Sequence, residues 1–149
     1  MFVCIHNFRT INHDASSACD PGYVGIPLFV CYDVHVELKT RAEAIEVCKS
    51  LGRQLVEPTS ASANSEVTAL AQAKGVSRFW IGIHDITNEG TFTYESNGQP
   101  IGYKNWNYGE PNDWGSGEDC AEINAGKWND LSCNNKQSFV CDKKPQSGN

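Results

Sequence analysis

Residues 110–120 read Glu110-Pro111-Asn112-Asp113-Trp114-Gly115-Ser116-Gly117-Glu118-Asp119-Cys120. Carboxylates and a side-chain amide are crowded here among turn-forming residues, and the run ends on a cysteine. It closes a longer stretch, 96–119, that is rich in Asn, Gly and Pro and shows neither alternation nor a helical period. A loop this long inside a compact domain is either functional or disordered, and its carboxylates and closing cysteine favour function. The acids Asp85, Glu89, Glu110, Asp113, Glu118, Asp119 and Asp130 all fall between residues 85 and 130. A solvated acidic face is the plain explanation for such a cluster. The same oxygens are also what a hard cation requires.

The flanking sequence supplies a scaffold for that loop. Upstream, Thr40 and Glu43 make a capping box, and Ala44, Ile45, Cys48 and Leu51 recur at helical spacing until Gly52, which predicts a helix over 41–51. Val67, Leu70, Ala71 and Lys74 before Gly75 predict a second helix over 65–74, starting near Asn64. Short strands are expected at 79–83, 91–94, 120–123, 127–129 and 139–141. The fold class is therefore α+β with the helices first. Residues 19–31, with Asp20-Pro21-Gly22 and the apolar run near Val30, read as a small disulfide-closed hairpin. Residues 1–18 read as a flexible leader carrying Cys4, 19–142 as the single domain, and 143–149 as a C-terminal tail.

Bulk properties narrow the function. A net charge of −6 and a pI near 5.1 argue against nucleic acid as a partner, because phosphate contacts need a basic face. Mean hydropathy is −0.44 and no apolar run could cross a bilayer, so membrane insertion is not expected. Seven cysteines without a Cys-x-x-Cys pair indicate an oxidising compartment. The expected location is secreted or extracellular. Residues 1–10 have no signal-peptide pattern, so the export signal either was removed or is encoded elsewhere.

Cys48 at the end of the first helix, Trp80-Ile81-Gly82, Glu110-Pro111-Asn112, Cys120, Trp128-Asn129-Asp130, Cys133 and Cys141 occur in an order that resembles the C-type lectin-like domain. The resemblance spans about 19–142 and is closest in the 110–120 loop to mannose-binding proteins. It implies the pairs Cys48–Cys141 and Cys120–Cys133, with Cys19–Cys31 as the hairpin bridge of the long form, and a cis peptide before Pro111. It also implies a sugar-site Ca²⁺ held by Glu110, Asn112, Glu118, Asn129 and Asp130. An auxiliary Ca²⁺ is implied at Asp85, Glu89, Asp113 and Asp119, shared with Glu118.

In the implied mechanism each ligand side chain gives one oxygen to the ion and keeps another polar atom for a sugar hydroxyl. The family's Glu-Pro-Asn order goes with mannose or N-acetylglucosamine, and Gln-Pro-Asp with galactose. Trp114 departs from the mannose-type pattern: it resembles the stacking residue of galactose-binding members, which keeps galactose and N-acetylgalactosamine open. The implied partners are glycans or glycoconjugates, microbial surface sugars among them, and innate immunity is the family-level role.

Plainer readings stand beside these. Trp80, Trp106 and Trp128 read as core aromatics rather than site residues. His6, His13, His35 and His84 have no partners at zinc spacing. Gly115-Ser116-Gly117 lacks the nucleophile-elbow pattern, and no catalytic group is expected, so the chain is read as a binding protein and not an enzyme. A structural or interaction protein on the same fold is the competing class. Cys4 is a free thiol, a cloning accident or an intermolecular bridge; the last is favoured and makes a disulfide-linked homodimer the expected assembly.

Overall fold

The computed structural model describes residues 3–6, 9–11 and 30–143. The expected Cys19–Cys31 bridge, the hairpin tip around Pro21 and the tail beyond 143 lie outside them. Helix α1, Arg41–Ser50, starts where the sequence places it: Thr40 Oγ1 accepts from the Glu43 amide, and the Glu43 carboxylate accepts from the Thr40 amide at 2.9 Å. It stops at Gly52, whose φ of 67° lies in the left-handed region. Helix α2, Ala61–Ala73, starts earlier than the sequence suggests. Ser60 is the cap, accepting from the Ala63 amide at 3.1 Å. Asn64, which looks like a cap, sits inside the helix and turns its amide to the sheet: it donates to Gly126 O and accepts from Trp128 Nε1 at 2.7 Å.

The strands form one sheet. In chain order they are β1 (Val3–His6), β2 (Arg9–Ile11), β3 (Val30–Lys39), β4 (Gln54–Leu55), β5 (Arg78–His84), β6 (Thr93–Tyr94), β7 (Cys120–Asn124), β8 (Lys127–Leu131) and β9 (Gln137–Lys143). The sheet runs β2-β1-β3-β9-β5-β7-β8, with β4 on β9 and β6 on β5; β5 and β9 are parallel and the other pairs antiparallel. Of the residues expected in the leader, Val3–His6 and Arg9–Ile11 are paired as β1 and β2, and β1 lies along β3. Strands of three and four residues are too short to display alternation in a sequence. The ten-residue β3 does alternate in sequence, with Val30, Tyr32, Val34, Val36 and Leu38 at every second position, and the sequence reading overlooks it. Tyr32 and Val34 are buried, whereas Val36 and Leu38, in the stretch where the pairing to β9 shifts register, are exposed.

Two buried groups fill the interior. Phe79, Ile81, Ile83, Ile123, Trp128 and Val140 belong to the larger, between α2 and the sheet. Ala44, Cys48, Leu55, Trp80, Phe139 and Cys141 belong to the smaller, under α1. Trp80 and Trp128 are fully buried, in keeping with a core role. The Cys48–Cys141 bridge joins α1 to β9 across 93 positions, a closure worth about 4 to 5 kcal/mol in the chain-entropy account. Cys120–Cys133 links the start of β7 to the segment after β8.

The long loop between β6 and β7 is tied to this core before it reaches Glu110. Trp128 donates its amide to Asn105 O and accepts from the Asn107 amide. Trp106 and Tyr103 meet the Trp128 ring edge-on, with centroids 5.5 and 5.6 Å away. The loop therefore leaves residues 109–119 at the surface on a fixed stem.

Candidate functional site

Glu110 and Asn112 flank a cis peptide at Pro111, and Asn112 Nδ2 donates to Glu110 Oε1 at 3.0 Å. Asp130 on β8 holds the turn from below. Its Oδ1 accepts from the Asn112 amide at 3.1 Å and its Oδ2 from the Asp113 amide at 2.7 Å. Asp130 is buried, and a buried carboxylate is tolerated when such donors satisfy it. The next turn closes on itself: Glu118 accepts from the Trp114 amide, and Asp113 accepts from the Glu118 amide. Asp113 and Ser116 adopt φ of 43° and 54°, and Gly115 between them 72°. Asp in the left-handed region is an ordinary turn device. Asn129, next to Asp130, is half-buried and donates Nδ2 to Glu122 Oε1 at 3.1 Å.

A second acidic group lies alongside. Asp85, Glu89 and Asp119 each offer an oxygen, and these oxygens lie within 4.8 Å of one another. The Asp85 amide donates to Asp119 O and ties the two segments together through the backbone, while Asp85 Oδ2 accepts from the Gly90 amide and closes its own turn. Asp113 and Glu118, expected in the same set, are not within that three-residue cluster. Asp113 does act on Glu89 through its charge, although Asp85 acts on it more strongly.

The electrostatics fit a cation. Burial, then the neighbouring Asp130 carboxylate, push the Glu110 carboxyl up to about 7. Glu110 Oε2 and Asp85 Oδ1 are buried side-chain oxygens that no donor faces. Burial also raises Asp85 and Glu118, and Asp85 raises Glu89. Polar atoms left without partners in a folded interior call for an explanation, and carboxylates that repel one another while exposing lone pairs are the donor set that Ca²⁺ takes. Nothing comparable favours a softer metal, since no histidine or thiol is in either group.

Compared with known families, residues 37–143 match the sequence profile described as the Lectin C-type domain. The chain belongs to the C-type lectin family. It is 40% identical over 105 residues to bovine pulmonary surfactant-associated protein D, covering 70% of this chain and 28% of that protein. It is 34% identical over 112 residues to human Collectin-10, covering 74% of this chain and 40% of that protein. The C-type lectin domain thus spans well under half the length of these two relatives. Among solved structures, the C-type carbohydrate-recognition domain of cow CD23, determined in the presence of a GlcNAc2Man3 oligosaccharide, superposes with a TM-score of 0.71 at 33% identity, covering 80% of this chain and 93% of that one. C-type lectin domains are binding domains, not enzymes, and typically bind Ca²⁺.

In this C-type lectin domain Glu110, Asn112 and Glu118 lie on one loop and Asn129 and Asp130 on the strand beneath it; the bonds above join the loop residues to Asp130, while the Asn129 side chain is bonded to Glu122. Trp114 stands 80% exposed at the loop surface, so its ring is available to a ligand and not committed to the core. Tyr108, just before the loop, is fully exposed as well. Trp106 packs on Phe92 and Trp128. His84 Nε2 lies 3.2 Å from Glu95, in a network that includes buried Arg41. The sequence reading passes over Glu122 and Arg78. Glu122 is fully buried on β7, and Arg78 Nη2 and Nε reach it at 2.6 and 3.2 Å. The one hint in the sequence is a charged residue in the middle of Cys120-Ala121-Glu122-Ile123, a stretch that otherwise reads as a buried strand. No helix among the described residues is long and apolar enough to cross a membrane.

Proposed function

We propose that this domain binds carbohydrate in a calcium-dependent manner outside the cell, with Glu110, Asn112, Glu118, Asn129 and Asp130 holding the ion at the sugar site. The observation that carries the reading is Glu110. One of its oxygens is unpartnered, it lies beside the Asp130 carboxylate that accepts from two amides of the same loop, and burial pushes its carboxyl up to about 7. A bound cation would supply the charge and the partner that this carboxylate lacks. When bound, Ca²⁺ supplies a centre to which vicinal sugar hydroxyls can coordinate through oxygen. The chain's own side chains do the rest. Glu110 accepts and the Asn112 and Asn129 amides donate, so a hydroxyl pair of the right geometry meets matched partners.

The auxiliary ion belongs at Asp85, Glu89 and Asp119, with Asp113 and Glu118 at its edge. There it would relieve the repulsion among carboxylates whose ionisation is already opposed. Glu-Pro-Asn, and the GlcNAc2Man3 oligosaccharide present with the similar cow CD23 domain, support mannose-type or N-acetylglucosamine-type sugars. The exposed ring of Trp114 favours a second reading, in which galactose or N-acetylgalactosamine stacks its apolar face on the indole. A disulfide-linked homodimer through Cys4 would add the avidity that a single shallow sugar site lacks. Retention on mannose and galactose resins in millimolar calcium, released by chelator, is the expected result. Passage through both resins with the loop ordered would favour a structural or interaction role on the same fold.

A further inference from the structure

The buried carboxylate of Glu122 has no place in the ligand set above, yet it touches a member of that set. It lies on β7 directly across from Asn129 on β8, in register. Its Oε1 accepts both Arg78 Nη2 at 2.6 Å and Asn129 Nδ2 at 3.1 Å, while Oε2 accepts Arg78 Nε at 3.2 Å. Glu122 is wholly buried; the Arg78 side chain is 46% exposed. A lone carboxylate in that position would be costly, and a forked guanidinium is the partner that makes it tolerable and fixes its plane.

The consequence falls on Asn129. A primary amide is planar, with oxygen and nitrogen on opposite corners, and a carboxylate can only accept. Glu122 therefore selects the orientation in which the Asn129 nitrogen faces into the sheet and its oxygen is left for the site. One hydrogen of Nδ2 is used; the other stays available to a ligand. Without that acceptor the Asn129 amide could also turn its NH₂ toward the site, and an ion would have to reorient it on binding.

Resting on the reading of Asn129 as a calcium ligand, we infer that Glu122, clamped by Arg78, is a positioning residue that sets the amide orientation of Asn129 and thereby the calcium affinity of the sugar site. Partners of this kind behind metal ligands typically change metal affinity by about 10- to 100-fold when removed. The test is calorimetric titration of calcium alone into the parent, Glu122→Leu, Glu122→Gln, Asn129→Ala and the Glu122→Leu/Asn129→Ala double variant, with the Asn129 side-chain amide followed by NMR. Glu122→Leu is expected to weaken the sugar-site ion by about 10-fold or more and to shift the Asn129 amide resonances in calcium-free protein. Glu122→Gln keeps an acceptor and should recover most of the affinity. In the Asn129→Ala background Glu122→Leu should add no further loss. Equal affinity of parent and Glu122→Leu, or the same loss with and without Asn129, overturns the inference and leaves the calcium reading standing. A parent that binds no calcium overturns both. If Glu122→Leu does not fold, Arg78→Met tests the same clamp from its exposed end, and an unmoved Asn129 amide there also overturns it.

Discussion

Replacing Asp130 with asparagine removes a charge and changes one oxygen to a donor while keeping the side chain's shape. Asp130 accepts from two loop amides, Asn112 at 3.1 Å and Asp113 at 2.7 Å. Asparagine can accept from one of them and turns an NH₂ toward the other, so one charge-assisted bond is lost and the survivor becomes neutral. A hydrogen bond to a charged group contributes about 1.5 to 3 kcal/mol net. Local opening of residues 112–113 should therefore become about 10- to 100-fold more frequent. Global stability is a poor reporter, because the same change relieves the repulsion that Asp130 exerts on Glu110. Amide hydrogen exchange in chelator-treated protein reads the local term alone. The expected result is faster exchange of both amides by that factor, with amides of β7 unchanged. Exchange of both amides within twofold of the parent would show that Asp130 does not clamp the loop.

Calcium and protons should compete at Glu110. Its folded pKa of about 7 lies above the ordinary value of 4.5, so the ionised form is penalised in the calcium-free fold at higher pH, and that penalty fades as pH falls through 7. Chelator-treated protein should melt at higher temperature at pH 5.5 than at pH 8, while calcium affinity drops up to about tenfold per pH unit below 7; an affinity flat from pH 8 to 5 contradicts this. Gly82→Ala should destabilise by about 1 to 3 kcal/mol, because a Cβ there would sit 2.8 Å from Glu57 Cγ and 3.0 Å from the Leu55 carbonyl, and the backbone cannot yield; an unchanged melting temperature would contradict it. Trp114→His, at an exposed position, should leave stability within about 0.5 kcal/mol of the parent. If the ring stacks on galactose, losing about 1 kcal/mol should cost about fivefold in galactose affinity and little in mannose affinity; equal effects on both sugars argue against stacking.

The α+β class and the first helix were readable because their signals are local: the Thr40–Glu43 box and the glycine stop at 52 need only neighbours in sequence. The Glu110–Asp119 loop was readable because its residue types are unusual together. What escaped is set by tertiary contact. Asn64 is a good cap by type, but Trp128 claims its side chain, and Ser60 starts α2 instead. One miss is not of that kind: Val30, Tyr32, Val34, Val36 and Leu38 alternate with Cys31, Asp33, His35, Glu37 and Lys39, so the strand Val30–Lys39 was legible as a period of two and was passed over. The two-residue β4 exists only because β9 is there to pair with. Glu122 looks like any charged strand residue until β5 and β8 bring Arg78 and Asn129 against it. Of the five residues expected at the auxiliary site, Asp85, Glu89 and Asp119 bring their oxygens together, and Asp113 and Glu118 are not in that group of three.

The most direct test of calcium-dependent sugar binding is calorimetric titration of methyl mannoside, and in parallel methyl galactoside, into one preparation of the whole chain, first in millimolar calcium and then after chelation. Saturable binding of at least one sugar is predicted with calcium, abolished by chelator and by Asn112→Ala. Binding that survives chelation, or no binding of either sugar by a protein shown to hold calcium at Glu110, would contradict it.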